Sequence, residues 1–172
     1  MISSQKYWKN QFLVCLGLFI AAAFCMKWME NDFWVNGEKF TIMGLELFYP
    51  KEKVMAVLAG LDDHVGSILV YHLHFDFVFM TGVFPGIAAL CMMAKEKTGG
   101  TIKKILLAVA FLQIAAWGAD VYENLSLLHW MKDPVIGDEF ILYHFIVATK
   151  WIIALTGALS AIIVLVFIRK KS

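Results

Sequence analysis

The chain has 172 residues, of which 60% are hydrophobic and 17% charged, and its mean hydropathy is +0.71; soluble domains average roughly 45–50% apolar and 25% charged residues. Such a composition excludes an ordinary soluble domain and reads as one integral membrane domain, residues 1–172. The formal net charge of +1 lacks the basic excess of a nucleic-acid binder, so no nucleic-acid partner is expected.

The first apolar run, residues 11–29, is long enough to cross a hydrocarbon core of about 30 Å, with Lys27 and Trp28 placed to reach the far interface. Lys6 and Lys9 precede it as they would in a secretory leader. No small-residue cleavage site before a polar domain follows, so the run reads as a retained span. Ala21, Ala22 and Ala23 offer a smooth face for helix packing. The cysteines Cys15, Cys25 and Cys91 all sit in apolar stretches with no C-x-x-C spacing, which favours buried filler over redox chemistry.

Residues 30–65 form the longest polar segment. Asn36-Gly37 lies between two β-prone runs, the turn chemistry of a hairpin with positive φ at both central positions. In 51–61, Val54, Val57, Leu58 and Leu61 share one helical face, as in a short amphipathic helix on a membrane surface. Hairpin and helix together make an outer cap, either a lid over the helices or a connector on the headgroups.

Residues 66–94 make the second span, with Gly82, Pro85 and Gly86 predicting a kink. A short basic loop, 95–104, leads to the third span at 105–128. The fourth runs over 140–168 and ends in Arg169, Lys170 and Lys171. The expected fold is therefore all-α, an antiparallel four-transmembrane-helix bundle capped by the hairpin and the amphipathic helix. Nine basic residues (Lys6, Lys9, Lys95, Lys97, Lys103, Lys104, Arg169, Lys170, Lys171) fall on one side, against Lys27, Lys39, Lys51, Lys53 and Lys132 on the other. The positive-inside rule then puts both termini in the cytoplasm and predicts a multi-pass protein of the plasma (inner, cytoplasmic) membrane.

This topology brings odd polar residues to one depth. Counting about 1.5 Å per residue from the basic flanks, Asp76, Asp120, Glu123 and Lys150 all lie roughly 24–28 Å from the cytoplasmic edge, on three different spans. His72 and Asp76 share a face at i, i+4; Gln113, Trp117, Asp120 and Asn124 form a stripe with Glu123 beside it; Tyr143 and Lys150 line one face of the last span. Lipid cannot solvate such stripes, so each should face inward.

Three uses of that layer compete. In the plain structural use, Lys150 pairs with Asp76 or Asp120 to lock helices in a non-catalytic subunit of a membrane complex, and Glu123 and the histidines reach toward the headgroups. In the second, His72, Asp76, Gln113, Trp117, Asp120, Glu123, Asn124, Tyr143 and Lys150 form a site for a membrane lipid or small amphiphilic ligand, or exchange protons or cations, with Trp117, Tyr122 and Tyr71 as walls. In the third, Asp76, Asp120 and Glu123 are the acid and base groups of an enzyme acting on a lipid or isoprenoid. A metal-dependent form of that enzyme would use His72, Asp76, Asp120 and Glu123 as ligands, but D-x-x-E stands where carboxylate-bridged di-iron bundles carry E-x-x-H, so no metal and no cofactor is expected. A haem held by His72 and His144 is disfavoured because His144 is about 120° from the polar face of its helix. Gly82-x-x-x-Gly86, Gly157-x-x-x-Ala161 and Thr156-x-x-x-Ser160 are small-residue spacings for close helix contact, within the chain or in a homo-oligomer. Lipid or amphiphile binding is the leading expectation.

Overall fold

The computed structural model describes residues 4–167. The basic tail at 169–171 and the last residue of the expected fourth span lie outside them. Four helices are long and apolar enough to cross a membrane, the signature of a multi-pass membrane protein. They are α1 (Ser4–Met29), α3 (Asp63–Lys95), α4 (Gly100–Trp130) and α5 (Glu139–Phe167), with a short α2 (Lys51–Ala59) between the first two. α1, α3 and α4 begin ahead of the apolar runs that reveal them, by seven residues in α1, because helical backbone satisfies its own hydrogen bonds through the polar interface. At α3 the start is fixed by Asp62, whose side chain accepts the Val65 amide at 2.7 Å, an N-cap.

Side-chain pairings fix the directions. Phe19 meets Gly82 and Cys15 meets Gly86, Asp76 meets Asn124 while Cys91 clusters with Leu106, and Asp120 meets Lys150 while Gln113 meets Gly157, so consecutive long helices run antiparallel. The four are not equivalent, however. α3, α4 and α5 pack mutually, whereas α1 packs chiefly on α3, with only Cys15 and Ala22 buried. The contact is close: a Cβ on Gly82 would stand 2.6 Å from the Phe19 amide nitrogen and 2.8 Å from the Cys15 carbonyl oxygen. Glycine there lets two backbones touch, the contact that the Gly82-x-x-x-Gly86 spacing predicts. α3 continues through Pro85 without interruption, so the expected kink does not break the helix. Gly157 has the same function on α5, leaving room for the Gln113 amide and Ile87. Thr156 is exposed and Ser160 bonds back to the Gly157 carbonyl, so that spacing joins no helices within the chain.

The cap follows its local chemistry. Trp34–Val35 (β1) and Glu38–Lys39 (β2) pair antiparallel around Asn36 (φ 52°) and Gly37 (φ 80°), the two positive φ values of a type I′ turn. So short a hairpin is not stable alone. It is held by the stacked rings of Phe33 and Phe40, 4.8 Å apart, which join Val54, Val57 and Leu58 of α2 and the near ends of α3, α4 and α5 in one apolar cluster. Deeper, Met80, Phe84, Ala116 and Ala154 form a second cluster. Cys91, Leu106, Ala161 and Val164 form a third at the far end. The polar layer lies between the first cluster and the second.

Candidate functional site

The expected convergence is present, and of the two pairings expected for Lys150 the one with Asp120 forms. Lys150 on α5 donates to Asp120 Oδ1 at 2.5 Å and also to Glu123 Oε2, both on α4. Asp76 on α3 does not take the lysine; its Oδ2 accepts the Asn124 amide at 2.6 Å. All five side chains are at least nine-tenths buried. Glu123 does not reach toward headgroups: it is fully enclosed, because Lys150 and the cap hold it inside.

A fourth carboxyl, Glu46, enters from the cap, and sequence reasoning misses it. The chain at Gly44–Phe48 makes a single π-helical turn. Thr41 starts it by accepting the Gly44 amide at 3.0 Å, the Tyr49 ring fills the space over Gly44, and His144 on α5 pins it through the Leu47 carbonyl at 2.7 Å. That turn drives Glu46 down onto Glu123. Burial above all, then the Glu123 charge, raises the Glu46 pKa well above the usual 4.5, while Lys150 opposes the shift. A carboxyl that keeps its proton can donate it in a hydrogen bond to the Glu123 carboxylate. The available signal was an acid between apolar neighbours, Leu45-Glu46-Leu47, in a segment whose turn is invisible to helical or strand periodicity.

The layer is open on one side. Because α1 leans on α3 and stands apart from α5, a cleft of about 420 Å³ runs between them. Glu46, Asp76, Asp120 and Lys150 form its polar end; Phe19, Ala23, Phe79, Val83, Leu155 and Ala158 are among its apolar walls. At the mouth nearest the cap Lys27 donates to Glu30 at 2.6 Å. Glu30 Oε1 stands 3.9 Å from His72 Nε2, and the imidazole packs on Phe33 with ring centres 5.3 Å apart. Both His72 ring nitrogens lack a hydrogen-bond partner among the described residues. Lys27, which reads in sequence as an interfacial anchor, is thus a mouth residue.

Other expected members lie elsewhere. Gln113 is buried, but its amide bridges the Val109 and Ile153 carbonyls, each at 3.3 Å. With Trp117 it borders a separate groove of about 410 Å³ between α1 and α4. Tyr71 and Tyr122 are exposed and wall neither space. Tyr143 is fully buried against Trp130, 4.8 Å between ring centres, above the layer. His72 and His144 have different partners, Glu30 and Leu47, so the two histidines do not face each other across a haem space. Among the described residues no three His, Cys, Asp or Glu side chains come together as a metal-holding group. No family model, no curated protein and no solved structure matches the chain.

Proposed function

We propose that this chain binds a membrane amphiphile in the cleft between α1 and α5, its tail along the apolar walls and its polar head on the buried layer, with both termini cytoplasmic and the cap outside the plasma membrane. The observation that carries this reading is the cleft itself, which combines about 420 Å³ of space, apolar sides and a charged end. That combination suits a molecule with one polar and one apolar part. Asp76 and Glu46 meet the head, Lys150 holds Asp120 and Glu123 in place, and Lys27 and Glu30 frame the mouth. The lysine with its two carboxylates also locks α4 to α5, so part of the layer is structural in either use.

The test is solvent extraction and mass spectrometry of protein purified in mild detergent. A retained amphiphile, enriched over bulk membrane lipid and lost in an Ala158→Trp variant that fills the cleft, is the expected result. The same lipid profile in both proteins contradicts the reading.

A further inference from the structure

Charge at the polar end of the cleft is unbalanced. Three carboxylates, Asp76, Asp120 and Glu123, stand against one ammonium beside the Glu46 carboxyl, which keeps its proton, and Lys150 directs two of its three donors to Asp120 and Glu123. Asp76 is 7% exposed and lines the cleft; Asn124 satisfies Oδ2, while Oδ1 accepts no hydrogen bond among the described residues. Lys27 is already paired with Glu30 at the mouth. An anionic head would meet unscreened carboxylates in a low-dielectric site; a cation relieves them.

We propose that the cleft selects a long-chain amphiphile with a protonated amine head, the ammonium seated on Asp76 Oδ1. This rests on the amphiphile reading above and narrows it to one class of head group. An ammonium presents three donors at one point, and a charge-assisted hydrogen bond to a buried carboxylate is about twice as strong as a neutral one.

Three photoreactive probes of equal chain length test it: a C16 amine, a C16 alcohol and a C16 carboxylic acid, each with a diazirine in the chain. Each is applied to the whole protein in phosphatidylcholine nanodiscs, and crosslinked peptides of α1, α3 and α5 are read by mass spectrometry. The amine should label cleft peptides saturably and about tenfold or more above the other two. Asp76→Asn should erase that preference. Equal or stronger labelling by the alcohol or the acid, or an unchanged preference in a folded Asp76→Asn protein, overturns the amine assignment and leaves amphiphile binding standing. Absence of saturable cleft labelling by all three probes overturns both. Should Asp76→Asn fail to fold, the amine to alcohol ratio in the wild-type protein decides alone.

Discussion

Replacing Lys150 by Met tests the electrostatic design of the layer most sharply. The side chain is 4% exposed and its ammonium is the shared donor to Asp120 and Glu123. Methionine fills similar volume, so packing is nearly kept and the loss is of charge. Two carboxylates, 5% and 0% exposed, are then left in an apolar interior with no counter-ion. Removing one partner of a buried ion pair costs about 3–5 kcal/mol, most of it the penalty of the charge left behind. For a domain of this size that corresponds to a fall of about 6–20 °C in thermal midpoint. The assay is the midpoint in mild detergent at pH 7, followed by loss of the monodisperse peak. The triple variant Lys150→Met, Asp120→Asn, Glu123→Gln should recover most of the loss, since neutral amides need no counter-ion. Lys53→Met, which breaks the exposed pair with Glu38, should leave the midpoint unchanged because water screens that pair. A Lys150→Met protein as stable as wild type, or a triple variant no better than the single, refutes the reasoning.

Glu46 gives a pH signature of definite sign. With its pKa raised well above 4.5 by burial and by Glu123, the folded state holds a proton that the unfolded state has released, so stability falls as pH rises from about 4.5 through the folded value. Glu46→Gln should flatten that decline and be the more stable form at its alkaline end; an identical slope in both proteins argues against a buried proton. Gly82→Val should separate α1 from α3, since a Cβ meets backbone 2.6 Å away and overpacking of this kind costs about 1–3 kcal/mol; accelerated proteolysis of α1 is the measurement, and a wild-type rate contradicts the close contact. His144→Ala should free the Leu47 carbonyl and loosen the cap, seen as faster amide exchange over 41–49 with the helices unchanged.

The spans were legible because each is a long apolar run. Asp76, Asp120, Glu123 and Lys150 were legible as a layer because a helix advances uniformly, so equal counts from equal flanks give equal depth. Pairing was legible only in part: Lys150 with Asp120 is one of the two expected alternatives, while its bond to Glu123 and the bond of Asn124 to Asp76 depend on helix rotations that sequence periodicity leaves undetermined to within one position. Trp117 and Gln113 share a stripe with Asp120 yet stand about one and two turns deeper, below the layer. Glu46 was hidden because a π-helical turn has no repeat long enough to read. The cleft was hidden for another reason. It exists because α1 chose α3 through Gly82 and Gly86 and left α5 uncovered, a choice that no single helix records.

The opening of the charged layer toward lipid is tested most directly by placing a thiol at its edge. In a Cys25→Ser background, where Cys15 and Cys91 remain buried, Asp76→Cys in intact membranes should react with a long-chain N-alkyl maleimide entering along the apolar walls. It should resist a membrane-impermeant charged maleimide, and Ala158→Trp should block the reaction. Modification by the charged reagent, or an introduced thiol inert to both, contradicts a lipid-facing cleft that ends on these groups.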